Sequence, residues 1–411
     1  MRAKTALIAG AGVAGPATAY WLNAAGWRTT IVERAAAPRT EGYVIDFWGL
    51  GYDIAERMGL SGGLEAVGYH VRELKVVGDH GQRLAGFGTS VFEELTGGRY
   101  ITLARNDLSR LLLDAAAPTT ELIFGDEIGA LSQNLDSVDV ELVSGRRRHV
   151  DLVVGADGLH SQVRHLAFGP EERFEKPLGY AVAAFDSGGY RPREEDVYVM
   201  YGRPGRMLGR FTLHEDRSLF LFVFTFQGDL PIGVEAQKSL LKELYQGGSW
   251  ETDMVLDRLE DVEELYLDRV SQIVSSDWSH GRVALVGDAA FCVSLLGGQG
   301  AALAIIAAYV LAGEIARANG DVAEGLAQYE RRLRHYITTK QTGARRLAGA
   351  FAPRTRLGLW FRNQVLRSLA IPGLARLFVG REIIDRLALP EYPLVAAHDR
   401  LPSTPDNSPR S

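Results

Sequence analysis

Cysteine is almost absent. Cys292 is the sole one in 411 residues, so no internal disulfide can form and the chain suits a reducing compartment. Acidic residues are missing from 331–381, where twelve Lys or Arg stand unopposed, so the net charge of −6 leaves −18 on the remainder. A basic stretch with apolar residues at helical spacing can meet an anionic surface, but packing against an acidic surface of its own protein is the preferred reading. Charge is also missing from Phe291 to Gly313, a run of 23 residues that is long enough to span a bilayer. Gly297-Gly298-Gln299-Gly300 interrupts it, so it reads as a loop and then a buried helix, Ala301 to Ala312. Between Met1 and the first apolar strand there is no room for a signal peptide. The expectation is a cytoplasmic protein with no stable membrane span, no metal site and no nucleic-acid partner, monomeric or homodimeric.

Glycine, by contrast, is abundant (46 residues), which fits a fold rich in tight strand-to-helix turns. The chain opens as strand, glycine turn, helix, strand: Thr5–Ala9, Ala14–Ala25 and Thr29–Val32. A hairpin follows, Glu73–Val77 and Gln82–Gly86 about the Asp79-His80-Gly81 turn, then a helix from Asn106 and a strand Val150–Val154. From about residue 178 the period changes to an antiparallel meander, Val197–Tyr201, Met207–Leu213 and Leu219–Phe226. Side chains alternate along a strand, so Phe220, Phe222, Phe224 and Phe226 share one face; they either line a pocket for a flat apolar substrate or pack as core. Strand Val283–Val286 returns to the first pattern, and 323–389 is helical with breaks near Pro353, Pro372 and Gly380. The predicted class is α/β, a Rossmann-like domain interrupted by a β-sheet domain and extended by C-terminal helices. Its segments are 1–72, 104–176 and 271–322 for the first, 73–103 and 177–270 for the second, 323–390 for the helices and 391–411 for a tail.

Three constellations carry chemistry. Gly10-x-Gly12-x-x-Gly15 follows a strand and opens a helix: the first glycine permits the turn, the second lets backbone approach a pyrophosphate, and the third allows close packing. Glu33 ends the next strand, where a carboxylate binds both hydroxyls of an adenosine ribose and repels a 2′-phosphate. The runs Gly155–Arg164 and Gly287-Asp288-Ala289-Ala290 with Gly298-Gln299-Gly300 each follow an apolar strand, placing Asp157 and Asp288 at strand ends where ligands of open α/β sheets gather.

With Glu33-Arg34 and Arg105-Asn106-Asp107-Leu108, these motifs span about residues 5–305 and resemble the single-component (class A) flavoprotein monooxygenases of the p-hydroxybenzoate hydroxylase fold. Within that family the Arg105 motif and long helical C-terminus look like tetracycline-inactivating and polyketide-tailoring members. The resemblance implies that Gly10, Gly12, Gly15, Glu33, Arg34 and Arg105 hold the adenosine diphosphate part of FAD. Asp288 would bind the ribityl chain, Gly300 and Ala301 would approach the flavin ring, and Asp157 would serve both FAD and a pyridine nucleotide. Ala14, Gly287 and Gly298 would complete the cofactor site. The implied activity is hydroxylation of an aromatic or polycyclic small molecule, using NADPH or NADH and O2 through a C4a-hydroperoxyflavin. Alternatives are a flavin-dependent halogenase, whose Trp-x-Trp-x-Ile-Pro motif is absent, a lipid or isoprenoid reductase, and a non-catalytic flavin-binding protein.

The chain departs from the family pattern at Phe291 (usually His), Ser294 and Leu295 (usually Pro) and Ala302 (usually Asn), all expected near the flavin face. No catalytic base is assigned. Arg210, His214 and Tyr201 are the candidates, since they lie in or beside the strands expected to roof the pocket.

Overall fold

Three short apolar runs, Thr5–Ala9, Leu152–Gly155 and Val283–Leu285, are buried along nearly their whole length, as strands of a parallel sheet covered on both faces must be. They form the middle of a six-stranded sheet ordered Ser279–His280, Val283–Leu285, Leu152–Gly155, Thr5–Ala9, Arg28–Glu33, Thr120–Phe124. Every pairing is parallel except the first, so glycine-bearing turns collect at one end of the sheet. The computed structural model describes residues 2–38, 43–90, 96–190, 195–214, 216–371, 385 and 387–394.

Helices Ala14–Ala24 and Gly300–Arg317 pack together over this sheet. The second is long and apolar enough to cross a membrane, but its side chains are mostly buried inside the protein; it runs one turn further than the expected Ala312. The expected strand Val150–Val154 is two strands. Arg147–Val150 belongs to a separate three-stranded antiparallel sheet with Ile128–Gln133 and Val138–Leu142. The chain changes sheet at Asp151, whose carboxylate accepts from the Thr5 N–H at 2.8 Å and the Thr5 hydroxyl at 3.0 Å.

A seven-stranded sheet lies over the carboxyl ends of the parallel strands: Tyr266–Ile273, Glu175–Gly188, Arg217–Thr225, Arg206–Leu213, Val197–Arg203, Glu73–Val77, Arg83–Gly88. It is antiparallel apart from the pairing of Val197–Arg203 with Glu73–Val77. Its outer face carries Phe220, Phe222 and Phe224, fully buried with Phe185 and Leu208 against Leu241, Tyr245, Val255 and Leu259 of helices Val234–Tyr245 and Thr252–Glu260. Phe226, just past the strand end, packs on the same cluster. The four phenylalanines are therefore core and face away from the cavity below the sheet. Alternation along the strand groups them, but it does not say which face the two helices cover.

The C-terminal region is helical over Val322–Phe351 and Arg356–Ser368, each started by a side-chain cap: Asp321 accepts from the Glu324 N–H at 3.2 Å and Thr355 from the Gly358 N–H at 3.0 Å. The break between them falls at the expected Pro353, whose carbonyl accepts from the Gly205 N–H at 2.8 Å. The expected breaks at Pro372 and Gly380 and the tail beyond 394 lie outside the described residues.

Phe222 meets the Tyr245 ring edge-on at 4.8 Å in this outer core. Phe222→Ala is expected to cost about 3–5 kcal/mol of unfolding free energy while ligand affinity in the cavity stays unchanged. Urea titration and ligand titration of the same variant check it; a substrate defect at full stability would return the phenylalanines to the pocket.

Candidate cofactor and substrate site

The first glycine loop is built by contact between backbones. Gly10 has φ +101° and a Cβ there would lie 2.5 Å from the Ala156 carbonyl oxygen, while a Cβ on Gly15 would lie 1.8 Å from the Gly10 carbonyl oxygen. Only glycine lets the loop turn between its neighbouring strand and its own helix. Gly12 differs: a Cβ there would meet only the Arg105 guanidinium, 3.7 Å away, and would otherwise project into the cavity. The helix beginning at Ala14 has no side-chain cap, so its first N–H groups and its positive end face the same space. Glu33 is fixed at the strand end, its two carboxylate oxygens accepting from the Ala11 N–H at 2.8 Å and the Ala35 N–H at 2.9 Å.

Gly10, Gly12, Ala14 and Glu33 line one cavity of about 750 Å³ that runs from the glycine loop to the underside of the seven-stranded sheet, and Gly15 stands behind its wall. The cavity is also lined by Arg34, Arg105, Asp157, Asp288, Gly298, Gly300 and Ala301, so segments far apart in sequence meet there. Gly287 stands just outside, with φ +66°, starting the turn that presents Asp288. The helix from Gly300 also lacks a side-chain cap, and a Cβ on Gly300 would lie 3.5 Å from Asp288 Oδ1. Two uncapped helix ends, a fixed carboxylate and an open glycine cradle suit a long ligand with a pyrophosphate in its middle, which is the shape of a flavin dinucleotide.

The two half-buried carboxylates have different tasks. Asp157 accepts from the Ser161 hydroxyl at 2.6 Å and the Val163 N–H at 3.0 Å, so it orders its own loop. Asp288 faces Arg105 across the cavity; burial pushes its carboxyl above the usual range and the Arg105 charge opposes that shift. Burial likewise raises the Tyr43 hydroxyl to about 12, and its ring stands 5.4 Å from that of Tyr266 in the roof sheet and 5.9 Å from the Arg105 guanidinium. Nothing local in the sequence marks Tyr43 or Tyr266, and neither is among the expected site residues. Arg164, the last residue of the Gly155–Arg164 run, has a role that its motif does not reveal. It is fully buried and donates to the Ala289 carbonyl at 3.1 Å, the Leu159 carbonyl at 2.7 Å and Glu171 at 2.8 Å, tying the Asp157 loop to the Asp288 loop.

Of the three candidates for proton chemistry, the structure brings one to the cavity. His214 lines it, its ring stacked on Tyr69 at 4.1 Å, near the ion pair of Arg217 with Asp186. Arg210 is instead paired with Glu251 over the Trp250 ring, and the Tyr201 hydroxyl donates to Asp79 at 2.6 Å, both away from the cavity. The departures from the family pattern divide in the same way. Ser294 and Leu295 line the cavity, with Ser294 held at φ +107° and its buried hydroxyl without a partner among the described residues. Phe291 packs in the core 4.8 Å from the Trp278 ring, and Ala302 packs against Gly51, where a Cβ would come within 2.6 Å. These two lie in the packing behind the cavity, not on its wall.

The sequence profile described as FAD binding domain matches residues 3–342. An uncharacterized protein of Mycobacterium tuberculosis is 37% identical over 348 residues, covering 82% of this chain and 92% of the relative. A flavin-dependent monooxygenase of Legionella longbeachae is 30% identical over 346 residues, covering 82% and 86%. The crystal structure of the tetracycline destructase Tet(51) superposes with a TM-score of 0.80 at 27% identity, covering 95% of this chain and all of that one.

Gly12→Leu is expected to abolish flavin absorbance in the purified protein while leaving its circular dichroism intact, since the added Cβ meets only the Arg105 guanidinium, in ordinary contact at 3.7 Å. Retained flavin would remove the glycine loop from the site. A second expectation concerns His160, whose ring nitrogens meet Glu171 at 3.0 Å and Asp268 of the roof sheet at 3.3 Å. The Asp268 carboxylate is the main cause that raises its pKa from 6.5 to about 9, with Glu171 adding and burial opposing. The imidazolium therefore stabilises the fold fully below about 6.5, and its contribution is lost as pH rises through about 9. Urea midpoints of the wild type should fall across that window more steeply than those of His160→Gln; parallel curves would refute the link.

Proposed function

Because this chain belongs to the FAD-binding-domain family and, within it, to the class A flavin-dependent monooxygenases, we propose that it hydroxylates an aromatic or polycyclic small molecule using NADPH or NADH and O2. The observation that carries this reading is the single cavity uniting the glycine loop, Asp157, Asp288 and the Gly300 helix end with an aromatic and aliphatic roof. The likeness to a tetracycline destructase supports a flat polycyclic substrate.

The residues divide the work along the cavity. Gly12 and Ala14 bring N–H groups and a helix end to the pyrophosphate, while Gly10, whose own N–H donates to the Val32 carbonyl, and Gly15 make the close turn that allows it. Glu33 takes the ribose hydroxyls, and Arg34 and Arg105 neutralise phosphate charge. Asp288 takes a hydroxyl of the ribityl chain. Gly300 and Ala301 offer backbone N–H groups and a positive helix end to the ring, Gly298 makes the turn before that helix with its own N–H on the Leu295 carbonyl, and Gly287 sets the turn that presents Asp288. Asp157 acts at one remove, by ordering the loop that borders both FAD and the pyridine nucleotide. Bound FAD supplies the redox chemistry: with a hydride from the nicotinamide, a proton and O2, one oxygen atom enters the substrate and the other leaves as water.

Tyr43, Tyr69, Leu213, Leu219 and Tyr266 wall the roof end and exclude water around the reacting centre. His214, which lines that end, would take a proton from a phenolic substrate, and the Arg217–Asp186 pair would hold a polar substituent. The single free cysteine, Cys292, is buried and suits a reducing cytoplasm.

The test is substrate-stimulated oxidation of NADH and NADPH across phenols, quinones and tetracycline-like compounds, with mass analysis of the product. A gain of one oxygen atom supports the reading. A halide-dependent product, a product richer in hydrogen, or oxidation that ignores every compound would replace it with a halogenase, a reductase or a non-catalytic flavoprotein. For a phenolic substrate so found, His214→Ala should lower kcat/KM about a hundredfold at neutral pH, with FAD affinity unchanged. An unaltered pH profile in that variant would remove His214 from proton transfer.

A further inference from the structure

The C-terminal helix Arg356–Ser368 has two apolar faces, and the protein uses one. Leu359 and Arg362 lie against Gly202, and Leu366 and Leu369 join Phe87 on the edge of the seven-stranded sheet. On the opposite side Leu357 is 73% exposed, Trp360 58%, Phe361 64% and Val365 37%, and Ile371 just beyond the helix is 53% exposed. At 100° per residue the four helical side chains fall within an arc of roughly 140°. Few large apolar residues of a folded protein stay this exposed side by side without a partner.

The charges around the stripe indicate what covers it. Arg354, Arg356 and Arg367 are exposed at its ends and edge, and no Asp or Glu occurs from 331 to 371. Arg356 and Arg367 fall on one border of the apolar arc, while Arg354 precedes the helix, 5.7 Å from the Tyr180 ring. We propose that this face docks the protein on an anionic lipid surface, with Leu357, Trp360 and Phe361 entering the interface and the three arginines meeting headgroup phosphates. Trp, Phe and Leu beside Arg is the composition of helices that lie in a bilayer interface.

A second copy of the chain fits less well. In a two-fold dimer that paired this face with itself, the arginines of the two copies would confront one another with no carboxylate on the helix to separate them. An acidic protein surface answers the arginines but leaves the aromatic stripe unmatched; a charged bilayer answers both. The proposal is independent of the reaction performed in the cavity.

Flotation of the purified full-length protein with lipid vesicles tests it. Vesicles of phosphatidylcholine and phosphatidylglycerol in equal parts should carry at least about tenfold more protein than phosphatidylcholine alone, and added salt should weaken the binding. Leu357→Ser/Trp360→Ser/Phe361→Ser should reduce recovery about tenfold or more. Arg354→Gln/Arg356→Gln/Arg367→Gln should abolish the preference for the anionic lipid. Unchanged circular dichroism and flavin content in both variants would show that they are folded. Recovery with neither vesicle at low salt, undiminished binding by the serine variant, or a dimer that the serine variant converts to monomer would each overturn the proposal.

Discussion

The structure depends on backbone touching backbone at the carboxyl ends of adjacent parallel strands. The Gly10 loop sits so close to Ala156, and Gly15 so close to Gly10, that a single methyl group would separate the strand, the loop and the helix. A parallel sheet sends each strand into a crossover, so its turns gather at one end, and the cavity is the gap those turns leave. The same closeness explains why the cradle is made of N–H groups and helix ends. Where side chains cannot fit, main-chain dipoles are what remains to meet a ligand.

Charge around that gap is balanced from other segments. The Arg105 charge acts on Asp288 across the cavity, and Arg164, removed from water behind the cavity wall, is held by Glu171 and two carbonyls. Buried ions persist only where such partners exist. Here the partners also fix the distances between motifs, since Arg164 links the Asp157 loop to the Asp288 loop. His160 extends the pattern across the layers, joining the loop after Leu152–Gly155 to Asp268 in the roof sheet. The electrostatics that stabilise the fold and the geometry that shapes the cavity are thus the same interactions.

Much of this is legible one segment at a time. Glycine loops, terminal carboxylates and strand-to-helix order are local consequences of short-range sterics, and they suffice to pick out most of the residues around the glycine-loop end of the cavity. The stretch Val150–Val154 reads as one strand because its apolar pattern is continuous, whereas the sheet to which each half belongs is decided by Asp151 bonding to Thr5. Phe291 and Ala302 depart from expectation in another way. Their position in a motif suggests the flavin face, but a side chain one residue along a turn or helix points elsewhere, and these two point into packing.

By itself the sequence determined the class of fold, the glycine cradle and the acidic residues that end the strands, because each depends on interactions within a few residues. Tertiary structure alone decided which residues share the cavity. The alternation that put the phenylalanines on one face of a strand is a local rule, but two helices from 234–260 decided that this face is core. His214 reached the cavity, and Arg210 and Tyr201 did not, because the strands that carry them are twisted and paired within a sheet whose orientation no short segment encodes. Long-range packing selects among the faces that local periodicity offers, and in this protein that selection divides the site from the core.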